Sequence, residues 1–128
     1  MELMLLPGEY SVARYPLKES PSCPEIHDAE GIFSITWTED ECSLICLKDK
    51  VPSGFEVVTD GWVALKIQSV LDVGLVGVLA SIITPLGQAG VNVFTISTYN
   101  TDYVLVKSMS LDSAVSALRG AGFIVGIK

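Results

Sequence analysis

Apolar positions recur along the chain with two periods, every second residue in some segments and every third or fourth in others. The first period marks strands and the second marks helices. In the first sixty residues the short period dominates. Residues 9–15 are expected to form a strand. In 32–37, Phe33, Ile35 and Trp37 lie on one face and Ser34 and Thr36 on the other. The acidic turn Glu39-Asp40-Glu41 joins this strand to 42–47, making a hairpin. Between the first two strands, 18–31 is polar, contains Pro21 and Pro24, and reads as a loop. A short strand is expected over 55–59, closed by a turn at Asp60-Gly61.

The second half is more regular. Residues 62–70 read as a strand with Val63, Leu65 and Ile67 inward. Leu75, Leu79, Ile82 and Leu86 then fall on one helical face, so a helix is expected over about 75–89. Gly87 and Gly90 end it, and Pro85 should kink its last turn. A strand over 91–99, a turn at 100–102 and a returning strand over 103–107 follow. Ser110 is placed to cap a second helix, whose inner face is Leu111, Ala114, Val115 and Leu118. Gly120 and Gly122 stop that helix before a last strand over 123–127. From residue 62 the order is β-α-β-β-α-β, the split βαβ arrangement of ferredoxin-like folds. The first half reads as the same unit with its helices worn down to loops. The expected class is α+β: two ferredoxin-like βαββαβ units, a degenerate one over 1–60 and a regular one over 61–128.

Composition narrows the function. With 49% apolar and 18% charged residues, the chain can bury a core. A net charge of −7 repels phosphate backbones and anionic lipid, so neither nucleic acid nor a membrane surface is an expected partner. No run reaches the ~20 apolar residues of a membrane span. The first ten residues lack the basic start of a secretory signal. Cys42 and Cys46, four apart on one strand, lie ~13 Å from each other, too far for a disulfide. Reduced thiols in a cytoplasmic protein are the expectation. From 73 to 101 no residue is charged. The helix in that stretch turns Gly77, Ser81, Thr84 and Gln88 away from its apolar face, where surface helices carry charges. That face is therefore expected to be covered, by the first half of the chain or by another subunit.

Catalytic signatures are lacking. His27 is the single histidine, and with Cys23 it makes too few ligands for a metal site. Neither glycine-rich phosphate motif occurs, so no cofactor is expected. Two places carry candidate binding chemistry. Asp72, Val73 and Gly74 lead into a helix start, where backbone N–H groups suit a carboxylate and Asp72 suits an ammonium. Equally, Asp72 is a helix cap and Gly74 a turn residue. The second place is Ser97-Thr98-Tyr99-Asn100-Thr101-Asp102, dense in hydroxyls and closed by a carboxylate. It suits a cationic or zwitterionic small molecule, or is simply a polar hairpin turn.

The element order, the helix GVLASIITPLGQAG running into VNVFTIST, and the turn TYNTDYVLV resemble an ACT domain, an amino-acid-binding regulatory module found in aspartate kinases among others. The segments FSITWTEDECSLICL, GWVALKI and STYNTDYVLVKSMSL resemble the branch with tandem ACT-type repeats, which includes a cytosolic amino-acid sensor of the target-of-rapamycin pathway and small bacterial stand-alone proteins. The resemblance covers residues 9–128 and implies a non-enzymatic regulatory protein that holds an amino acid between ACT units. Carried over, the turn supplies Thr98, Tyr99 and Asp102, the strand start Asn92 and Val93, and the loop Asp72, Val73 and Gly74. With one pair of units where the eukaryotic sensor has two, the resemblance implies a homodimer and leaves room for a regulated partner protein. The alternative it leaves is a ligand-free ACT-type module for dimerisation or docking.

Overall fold

Eight strands and two helices make up the fold of the computed structural model, which describes residues 1–17, 31–68 and 76–127. The strands are β1 (Glu2–Leu5), β2 (Tyr10–Tyr15), β3 (Phe33–Trp37), β4 (Cys42–Leu47), β5 (Val57–Ile67), β6 (Val93–Ser97), β7 (Asp102–Lys107) and β8 (Ile124–Ile127). The helices are α1 (Val78–Gln88) and α2 (Leu111–Gly120). Their contacts divide into two units, Gly8–Gly61 and a second one made of Met1–Pro7 with Trp62–Lys128.

The Gly8–Gly61 unit has the strand order β3-β4-β2-β5, where β5 enters through its first residues. This is the ferredoxin-like order, with the second helix reduced to a single 3-10 turn at Lys48–Lys50. The register follows the alternation in the sequence. Ala13, Leu44 and Ile35 form one cross-strand row, and Tyr15, Cys42 and Trp37 form the next. Ala13, Tyr15, Cys42, Leu44 and Cys46 are buried together, with Phe33, Ile35, Val51 and Val58 packed against them. Both buried tyrosines have outlets for their hydroxyls: Tyr15 donates to the Pro52 carbonyl, and Tyr10 accepts from the Ile32 N–H. Both cysteines of β4 are buried free thiols. Burial pushes the Cys46 thiol up to about 11, since a thiolate loses its hydration there. The loop expected over 18–31, with Cys23 and His27, lies almost wholly outside the described residues.

In the second unit β1 and β5 pair antiparallel, β5 and β7 antiparallel, β7 and β6 antiparallel, and β8 runs parallel to β1. The order is β8-β1-β5-β7-β6, a ferredoxin-like sheet with one strand added between the first and last. That strand comes from the apolar run at the very start of the chain, which sequence reading set in the first unit without an element. Its position between two neighbours explains the missing signal. Leu3 and Leu5 face the helices and Met4 is half-buried on the other side, so no polar alternation marks it. Ile82 and Leu86 of α1 and Ala114 and Leu118 of α2 pack onto Leu3, Leu65, Ile67, Val104, Val106 and Val125. Both helices thus cover one face of the sheet.

Several expectations change. Asp60-Gly61 is no turn: β5 runs straight through it, and Gly61 takes a positive φ of 81° inside the strand. A left-handed residue there bends the strand without ending it, which only glycine does cheaply. The helix α1 continues past Pro85 to Gln88, with the Ala89 N–H donating to the Pro85 carbonyl. Its N-cap is Gly77, while Leu75 and Val70 fall outside the described residues. Ser110 stands at the N-cap of α2, but its hydroxyl makes no cap hydrogen bond. A 3-10 turn at Ser108–Ser110 leads into that helix instead. On the uncharged face of α1, Gly77, Ser81, Thr84 and Gln88 are all exposed among the described residues.

Candidate functional site

Of the sequence-derived candidates, Asp72, Val73 and Gly74 lie outside the described residues. The other five fall at two ends of one strand. Thr98, Tyr99 and Asp102 belong to the β6–β7 hairpin, and Asn92 and Val93 stand at the opposite end of β6. Five residues of strand separate these ends by about 13 Å.

The hairpin is closed by its own hydroxyls. The Thr98 N–H donates to the Thr101 carbonyl at 2.8 Å, and the Thr101 N–H donates back to Thr98 Oγ1 at 3.3 Å. Thr98 Oγ1 also donates to the Thr101 carbonyl at 3.1 Å. The donor of Thr98 is therefore used inside the turn, and only its acceptor capacity faces outward. Tyr99, at the tip, is fully exposed.

Thr101, part of the hydroxyl-rich segment but given no ligand role from the sequence, sets the position of the hairpin. It is buried, and its Oγ1 donates 2.8 Å to the Ile67 carbonyl at the end of β5. This bond locks the hairpin to the point where the chain leaves β5 for α1. Register completes the arrangement, with Asp102 opposite Ser97 and Tyr103 opposite both Ile96 and Lys66. By alternation Asp102 shares the face of Val104 and Val106, which is the helix side of the sheet. Its carboxylate is half-buried, and among the described residues no hydrogen bond or ion pair engages it. Thr95 and Ser97, on the same face of β6, are exposed. The result is a strip of hydroxyls beside a carboxylate without a partner among the described residues, next to the end of β5. Such a strip suits an ammonium group, because a half-buried carboxylate without a partner gains most from a cation.

The other end of β6 is built differently. The Val91 N–H donates to the Leu86 carbonyl at the close of α1, and Asn92 is exposed just beyond. Nothing charged lies on β6 or α1, so the edge of the sheet along β6 is neutral and, among the described residues, paired only on its β7 side. Among the described residues no group of three or more His, Cys, Asp or Glu side chains is arranged to hold a metal ion. No helix there is long and apolar enough to cross a membrane.

Comparison with known proteins gives a consistent picture. The family model for the ACT domain matches residues 57–120, and a second model, described as an N-terminal domain, matches 8–54. The human cytosolic arginine sensor for mTORC1 subunit 1 is 31% identical over 96 residues, which is 67% of this chain and 29% of that protein. The chain thus matches less than a third of the length of that relative. A crystal structure of a protein from Agrobacterium tumefaciens is 34% identical and superposes with a TM-score of 0.86, over 99% of this chain and 92% of the other. The ligand-free regulatory subunit of aspartate kinase from Thermus thermophilus superposes with a TM-score of 0.66 over 95% of this chain and 97% of the other. At 12% identity it shares the fold alone.

Proposed function

The chain belongs to the ACT-domain family, and from that premise we propose that it is a non-enzymatic, cytoplasmic regulatory protein that binds a free amino acid. The observation that carries this reading is the half-buried Asp102, which no hydrogen bond or ion pair engages among the described residues, beside the Thr98–Thr101 turn and the exit of β5. Asp102 takes the α-ammonium. Asp72 shares the ammonium with it, and backbone N–H groups before α1, at Val73 and Gly74, take the carboxylate end. Thr98 contributes an acceptor, and Tyr99 closes over the ligand from the tip.

Asn92 and Val93 join this site only in a dimer. An antiparallel pairing of β6 with its copy sets Val93 opposite the partner's Ser97, and so Asn92 beside the partner's Thr98. The same pairing brings together the uncharged, exposed faces of α1 and β6. Two chains of −7 each meet best where neither carries charge. A ligand held across that seam favours one geometry of the dimer, and a regulated protein that reads this geometry is the output.

A thermal-unfolding screen against the twenty amino acids, with polyamines and nucleotides as controls, tests the reading. At ~100 times its Kd a ligand adds ~2.7 kcal/mol. At ~2.1 cal/mol/K per residue that is roughly a 10 °C rise in Tm for a chain of 128 residues. The rise should vanish in Asp102→Asn. A flat panel refutes the sensor and leaves an ACT-type module for dimerisation or docking.

A further inference from the structure

The strand that the first residues add to the second unit widens its sheet. Five strands ~4.8 Å apart span ~19 Å between their outer axes, whereas two helices packed ~10 Å apart roof about four of them. The strip left open is at β8. Val125 turns its side chain into the core under the helices, and by alternation Ile127 points to the same side, yet Ile127 is 82% exposed. Between α2 and the strand ends runs a groove of about 460 Å³, floored by Leu5, Val115, Val125 and Ile127. Its size and apolar floor are those of a small-molecule site.

Three polar side chains of α2 border this floor: Asp112, Ser116 and Arg119. At i, i+4 and i+7 they share one stripe of the helix. Along the axis they run from a carboxylate, through a hydroxyl ~6 Å further on, to a guanidinium ~10 Å from the start. The guanidinium is fixed in place, since Arg119 Nη2 donates 3.0 Å to the Val125 carbonyl. That bond uses one of its five N–H groups and leaves four for an anion. Among the described residues no hydrogen bond or ion pair engages Asp112 or Ser116, and Asp112 does not pair with Arg119 two turns away. The groove therefore holds a negative end, a positive end and a hydroxyl between them, all beside an apolar floor.

We propose that this groove binds a short free peptide, about three residues long, with apolar side chains. The spacing of the charges selects that class. A free α-amino acid carries its ammonium and carboxylate on one carbon and cannot reach both ends. A chain spans at most ~3.3–3.6 Å per residue, so a tripeptide sets its termini ~10 Å apart. Its ammonium meets Asp112, and its carboxylate takes the spare N–H groups of Arg119, whose planar fork matches a carboxylate. The Ser116 hydroxyl, donor and acceptor at once, serves a peptide group between them. An alkyl spacer would leave that hydroxyl facing hydrocarbon, which favours a peptide over an ω-amino acid. The side chains lie on Leu5, Val115, Val125 and Ile127. The Asp102 hairpin stands at the opposite, β7–β6 edge of the same sheet, so this site is independent of the amino-acid site proposed there.

Titration of the whole chain with alanyl-leucyl-alanine, followed by backbone amide NMR shifts, tests it. The free peptide should bind saturably and move the amides of α2 and β8. Acetylating its N-terminus or amidating its C-terminus should each raise Kd about tenfold, the worth of one charge-assisted hydrogen bond. Leucine alone should leave these amides in place. Asp112→Asn, at an exposed side chain away from the core, should weaken the free peptide about tenfold and leave the acetylated one unchanged, because the ammonium it would lose is already gone. Arg119→Gln should do likewise with the amidated peptide. Asp102→Asn should leave the peptide titration as it is, which separates this site from the hairpin. The inference is overturned if the free peptide moves no amide of α2 or β8, if the blocked peptides bind as tightly as the free one, or if Asp112→Asn weakens free and acetylated peptides alike.

Discussion

Replacing Thr101 by valine keeps the shape of the side chain and removes one hydroxyl. In the native chain that hydroxyl donates 2.8 Å to the Ile67 carbonyl, and Thr101 and Ile67 are 6% and 1% exposed. Water cannot readily replace the lost donor there. An acceptor left without a partner costs ~1–3 kcal/mol. At ~2.1 cal/mol/K per residue, a loss of ~2 kcal/mol lowers Tm by about 7 °C in a chain of 128 residues. Thr101→Ser provides the control. It keeps the donor and removes one methyl group, worth ~0.8 kcal/mol or roughly 3 °C. Differential scanning calorimetry of the three proteins should therefore rank them wild type, then serine, then valine. A valine variant at or above the serine variant would refute the claim that this bond anchors the hairpin. The same substitution should also weaken the amino-acid response, because it frees the hairpin that carries Asp102 from the end of β5.

Leu118→Ala, in the centre of the second unit's core, should destabilise the chain by ~2–5 kcal/mol in urea unfolding; a loss below ~1 kcal/mol would mean that α2 is not packed as described. The Cys46 thiol, held up to about 11 by burial, retains its proton in the folded chain where the unfolded chain releases it near the ordinary value of 9.0. Its contribution is thus fully present below about pH 9 and is lost as pH rises to about 11, and Tyr15, also raised by burial and then by the neighbouring Cys46 and Cys42, acts in the same direction. Urea midpoints should fall across that window and fall less in Cys46→Ala. Because both thiols are buried, Cys42 and Cys46 should resist iodoacetamide at pH 8 in the folded protein and react at once in guanidinium.

Most of the element order was legible from periodicity, because strands with one buried face and helices with one buried stripe write their burial into the sequence. The rows Phe33–Ile35–Trp37 and Leu111–Ala114–Leu118 were readable for that reason. Where both faces of a strand are covered, the alternation disappears, and β1 was invisible. Gly61 carried the signature of a turn, yet a positive φ bends a strand as readily as it ends one. Neighbouring residues alone do not tell these apart. The hairpin of Thr98 and Asp102 was marked by its hydroxyls and its carboxylate. Thr101, which holds it, was not, since its partner Ile67 is 34 positions away.

The sequence by itself determined that the chain is an α+β protein of the ACT type, acidic, with an uncharged segment from 73 to 101. Those properties are local or additive, and each residue contributes to them without knowing its distant neighbours. Tertiary structure alone decided that the first seven residues complete the second unit, that β1 lies between β5 and β8, and that Thr101 ties the hairpin to the end of β5. These follow from which strand pairs with which. Pairing depends on backbone hydrogen bonds that every residue offers alike. Only the sum of side-chain packing over the whole sheet selects among the possible partners, and that sum is not written at any one position.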